Sequence, residues 1–130
     1  MQRFIRLVAF GTIALLLFDA TFSIASRLLA LPDASAVWAS SVIYGTTGFA
    51  VSRHYSVAKS ALAGAILGFA NVTLGGVVSA VLRANDPTRP ELTAATWTMI
   101  AITVVISGLM CAGLGGVIGR VTRKLVDIAA

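Results

Sequence analysis

The chain is 130 residues long, 58% hydrophobic and only 12% charged, with a mean hydropathy of +0.93. That balance excludes disorder and argues against an ordinary water-soluble domain, in which about 25% of residues carry charge. The single cysteine, Cys111, excludes an internal disulfide framework, and no Cys/His cluster offers a metal site. Lipid is the solvent this composition fits.

Four windows almost free of charge run from Leu7 to Ser26, Ala34 to Ser52, Ser60 to Leu82 and Leu92 to Gly119. Roughly 20 helical residues, at ~1.5 Å each, cross the ~30 Å hydrocarbon layer. The windows therefore predict spans at approximately 7–26, 34–52, 60–82 and 95–119, making residues 1–130 a single transmembrane domain. Helix is the form required, because backbone N–H and C=O groups find no water inside lipid. The connections are short, so sequential helices are expected to be antiparallel neighbours. The expected fold class is all-α: an integral membrane four-helix antiparallel bundle. All twelve glycines fall inside the windows rather than in the connections, which points to close helix packing.

In the first window Asp19 is the one charged residue well inside a span, where an aspartate costs about 2.5–3.5 kcal/mol on insertion scales. Thr12, Asp19, Ser23 and Ser26 share one helical face, expected to point into the bundle. Met1 to Ala25 also has the layout of a signal peptide, with Arg3 and Arg6, an apolar run and Ser23-Ile24-Ala25 as a small-x-small site. Asp19 fits that layout poorly, and a retained first helix is the expectation. In the second window Ser40, Ser41, Thr46 and Thr47 dilute the apolar content, so this helix should lean on its neighbours. Ser41, Gly45, Gly48 and Ser52 align along it, and Tyr44 is expected in the core with a partner for its hydroxyl.

The third window has the most ordered pattern. Ser60, Gly64, Gly68, Asn71, Gly75 and Ser79 recur every three or four residues as one small-residue groove, a packing seam with Asn71 as a hydrogen-bonding group at its middle. In the fourth, Ser107, Cys111, Gly115 and Gly119 form a second stripe with Gly108 beside it. The two stripes could close on each other or serve a second copy of the chain. Gly64, Gly68, Gly75, Gly108, Gly115 and Gly119 are the packing residues expected on this reading. The sharper alternative makes Asp19, Tyr44 and Asn71 an intramembrane polar site lining a pore or cleft.

Seven Lys and Arg residues (Arg3, Arg6, Arg53, Lys59, Arg120, Arg123 and Lys124) fall on one side of this topology, against Arg27, Arg83 and Arg89 on the other. The positive-inside rule then places both termini in the cytoplasm, in a cell inner membrane. Trp38 and Trp97 lie about one turn inside the outer ends of their spans, where indole rings favour the interface. Arg27 is too far along the helix to pair with Asp19 and is expected at the outer headgroups or beside Asp33.

A pI near 10.4 does not indicate nucleic acid, because the basic residues form collars at helix ends rather than a broad water-facing patch. Anionic headgroups of the cytoplasmic leaflet are the expected partners, with Arg120, Arg123 and Lys124 as the densest group. No HExxH, GxSxG or Walker-type motif is present, and His54, the one histidine, has no carboxylate near it in sequence, so an enzyme is not expected. Nothing identifies a cofactor. The function expected is an accessory or structural subunit of a larger membrane complex, or a homo-oligomer; the alternative is a small ion or solute transporter or channel with Asp19 as its membrane-embedded carboxylate.

Overall fold

Backbone groups that cannot reach water bond within their own segment, and the computed structural model is helical almost throughout the residues it describes, 1–29, 34–82 and 93–129. Helix α1 is Gln2–Leu29 and α2 is Ala34–Ser52. A short turn leads to α3, Val57–Ala70, which Ser56 caps by accepting a hydrogen bond from the Lys59 N–H at 3.4 Å. A π turn, Asn71–Gly75, carries the same rod into α4, Gly76–Leu82, and α5 is the long Ala94–Ala129. No strand occurs among the described residues. The Arg27 side chain, Asp33 and the segment from Arg83 to Glu91 lie outside them.

Among the described residues, three helical stretches are long and apolar enough to cross a membrane: Gln2–Ser26, Val57–Val78 and Ala94–Ala129. The second window is a helix over the expected residues, Ala34–Ser52, but it is not among these stretches. Its hydroxyls are largely satisfied within the helix itself. Ser41 donates to the Val37 carbonyl at 2.8 Å, Thr46 to Val42 at 2.9 Å, Thr47 to Ile43 at 2.8 Å and Ser52 to Phe49 at 2.8 Å. A serine or threonine bonded back one turn presents little unpaired polarity to an apolar neighbour.

The core follows the glycines. Gly64 of α3 and Gly108 of α5 face each other so closely that a Cβ on either would fall on the other's carbonyl oxygen. Further along, Gly68 meets the Val105 backbone, while in the other direction Gly116 seats Ser60; contacts climb α3 as they descend α5. Helix α2 uses the same α5. Gly48 lies on the Ala112 backbone, Gly45 and Gly115 touch backbone to backbone, and Gly119 accommodates Ser52 and Phe49. Here the contacts climb both helices together. The α3 stripe thus closes on the row of α5 that holds Gly108, Ala112 and Gly116, whereas Gly115 and Gly119, from the α5 stripe read in sequence, face the stripe of α2.

Helix α1 packs on α2 and on the α3–α4 rod, and among the described residues it does not touch α5. Its seat is Gly11, against the side chains of Leu67 and Thr47. Leu15, Tyr44 and Leu67 form the buried apolar cluster between these helices, flanked by Val8, Ile43 and Cys111. At one end of the molecule Phe4 meets Tyr55 edge-on, with ring centroids 5.7 Å apart, and an Arg123 Nη donates to the Arg53 carbonyl at 3.0 Å. The beginning of α1, the α2–α3 turn and the end of α5 therefore share one end, which gathers the basic residues of the first group.

Candidate functional site

The π turn alters the stripe read from sequence. Its wider winding is visible in the Gly76 N–H, which reaches back to the Asn71 carbonyl, and the inserted residue rotates the remainder of the rod away from α5. Gly64 and Gly68 face α5, but Gly75 faces α1. The space a Cβ would take at Gly75 holds the Asp19 carboxylate and, at 2.7 Å, the Asn71 side-chain oxygen. Gly75 is therefore less a packing contact between helices than the floor of a polar site. Ser79 has no described side chain.

Four segments build this site. Asp19 is half-buried on α1; Asn71 opens the π turn; Tyr44, 2% exposed on α2, accepts a hydrogen bond from the Asn71 Nδ2 at 2.9 Å. Because the phenol oxygen receives that bond, its own O–H is left to donate elsewhere. A cavity of about 240 Å³ joins Asp19, Tyr44 and Asn71 to Ser40 of α2 and to Thr103 and Ser107 of α5. Asp19, Tyr44 and Asn71, singled out from sequence, are thus brought together, and Ser40, Ser107 and Gly75 complete the setting. Ser107 was legible only as part of a packing stripe.

The hydrogen bonding of this cavity is incomplete. The Thr103 hydroxyl is occupied by the Met99 carbonyl at 2.8 Å. By contrast, the Asp19 carboxylate and the hydroxyls of Ser40 and Ser107 make no hydrogen bond among the described residues. Polar groups turned away from solvent are usually paired, so one buried and two half-buried unpaired groups facing one small space mark a place equipped to hold something polar. Asp19 lies thirteen residues along α1 from Arg6, and Ser107 thirteen along α5 from Arg120. Both are therefore ~20 Å from the basic end of the molecule.

The remaining candidates lie apart from this cavity. Gly108, Gly115 and Gly119 are in the α5 seam with Gly48 of the α2 stripe, while Gly11, which no stripe singled out, seats α1 against Leu67 and Thr47. Arg120, Arg123 and Lys124 are exposed on the last turns of α5. Trp38 is 77% exposed and Trp97 38%, so Trp38 is no packing residue within the chain, while the Trp97 ring lies beside Gly76. Among the described residues no cluster of His, Cys, Asp or Glu could hold a metal ion. Comparison with known proteins gives no matching family model, no matching curated protein and no matching solved structure, so the site is interpreted from its own geometry.

Proposed function

We propose that this is a multi-pass membrane protein that moves a small cation or a proton through the bilayer, with Asp19 as the membrane-embedded carboxylate. In this reading four helices cross a cell inner membrane as an antiparallel bundle, with both termini cytoplasmic, the basic end among anionic headgroups and no enzymatic reaction. The observation that carries it is the convergence of the Asp19 carboxylate with the unpaired Ser40 and Ser107 hydroxyls and the free Tyr44 O–H around one cavity. A carboxylate ringed by hydroxyl and amide oxygens is suited to a hard monovalent cation or a proton, and ionisable groups at membrane depth mark such paths. The test is flux into sealed vesicles containing the purified chain. Asp19→Asn should lower proton or monovalent-cation flux about tenfold, a barrier change of ~1.4 kcal/mol. Flux equal in the wild type and the variant defeats the reading.

A different observation favours a second reading, that of an accessory subunit or homo-oligomer. Between α2 and α5 an apolar groove of about 410 Å³ is lined by Val42, Gly45, Phe49, Cys111, Leu114 and Ile118, among others. A groove lined by apolar side chains can receive an apolar helix of another chain through van der Waals packing. Extraction in mild detergent tests it: the chain should run as an oligomer or with a second membrane protein, and a lone monomer defeats it.

A further inference from the structure

The α5 helix outlasts any single crossing. Its 36 residues make a rod of about 54 Å, against ~30 Å of hydrocarbon. The excess includes the turns from Arg120 onward, which are exposed throughout their described residues. Arg120, Arg123, Lys124 and Asp127 follow one another at helical spacing on one face, while Val121, Leu125 and Ile128 occupy another. The polar face is turned toward the α2–α3 turn, and between them lies a cleft of about 590 Å³.

Several features give that cleft an anion's complement. Four cations line it, Lys59, Arg120, Arg123 and Lys124, against one carboxylate, Asp127. Gly116 seats Ser60 and Val57, which sets the first turn of α3 beside the Arg120 turn. That turn begins at Ser56, itself in the cleft wall, so the N-terminal dipole of α3 adds to the same positive field. Two of the long cationic side chains are already held in place. Arg123 is bonded to the Arg53 carbonyl, and the Lys59 ammonium lies 5.0 Å from the centre of the Tyr55 ring. Side chains fixed before binding lose less freedom on meeting a ligand.

We propose that this cleft is a discrete binding site for a phosphate group, the chemistry shared by an anionic phospholipid headgroup and free phosphate. It goes beyond the general attraction of a basic collar, because the cations converge on one space with a helix N-terminus at its wall. The headgroup source rests on the proposal that this end lies at the membrane surface; the phosphate site itself does not depend on Asp19 or on flux.

The experiment uses the full chain in neutral detergent and native mass spectrometry, with phosphatidylglycerol and phosphatidylcholine offered at equal concentration. Phosphatidylglycerol should be retained about tenfold more, and the pair Arg120→Gln/Lys124→Gln should remove most of that preference. The pair Arg3→Gln/Arg6→Gln deletes the same charge at the same end outside the cleft and should leave the preference within about twofold. Equal losses from the two pairs reduce the cleft to a diffuse collar and overturn the proposal, as does equal retention of the two lipids with no binding of inorganic phosphate. Added inorganic phosphate separates the sources: displacement of the lipid assigns the cleft to soluble phosphate, and persistence assigns it to the headgroup.

Discussion

Along α5, residues 105–119 and 94–104 are built from similar apolar and small polar residues, yet their surroundings are opposite. The first stretch is pressed against the backbones of α2 and α3 through Gly108, Ala112, Gly115, Gly116 and Gly119. The second is open: every residue from Thr93 to Ile100 is exposed, and Trp97 reaches Gly76 only at ordinary van der Waals distance. The polar cavity lies where the one gives way to the other, at Thr103, Val104 and Ser107. Backbones in direct contact leave no room for a site. Where the helices part, the same fold has room for a carboxylate and its hydroxyl neighbours.

The contrast between the two stretches breaks most readily at Gly64. A valine there would drive its side chain into the Gly108 carbonyl and the Ala112 methyl, and neither backbone can yield without moving a helix. Gly64→Val should lower stability by about 3 kcal/mol, the upper end of overpacking costs, as read by unfolding in detergent. At the cavity the expectation runs the other way for the fold. Asp19→Asn removes a charge that lipid-inserted helices tolerate poorly, so melting should stay equal or rise while flux falls; a collapse of melting would make Asp19 a structural member of the packed half.

Tyr44→Phe sharpens the boundary further. It deletes the acceptor of the Asn71 Nδ2, and such bonds in membrane proteins average ~0.6 kcal/mol, with a maximum near 1.7. A loss well above that range would mean that the pair holds the helices together rather than equipping a site. The smallest change belongs to Gly113→Ala, whose new methyl meets only the Ala61 Cβ at 3.8 Å. Its effect on melting should fall within about 0.5 kcal/mol.

Much of this architecture was legible in residue pattern, and the exceptions have physical causes. Uncharged windows located the helices because a long apolar stretch that cannot pair its backbone with water must pair it within itself. The spacing from Ser60 to Ser79 located a small-residue face but not its division, since a π turn adds one residue without changing composition and so redirects Gly75 toward Asp19. The openness of residues 94–104 was hidden for a related reason: a side chain suited to lipid is also suited to a helix interface, so hydropathy cannot tell packed from exposed. Asp19, Tyr44 and Asn71 could be singled out because each is out of place in hydrocarbon. Ser40 and Ser107 could not, because most of the other described serines and threonines bond back within their own helix.

The convergence of α2 and α3 on α5 also bears on how the chain is made. Synthesis proceeds from the amino end, and the contacts of Gly45, Gly48, Gly64 and Gly68 with α5 all await a helix made after them. Earlier helices must persist in the bilayer as a half-built assembly whose closest-fitting surfaces are still bare. Helix α5 is in this sense a keystone: ending the chain within the Gly108–Gly119 stretch should abort maturation, whereas removing α1 would spare the interlocked trio of α2, α3 and α5.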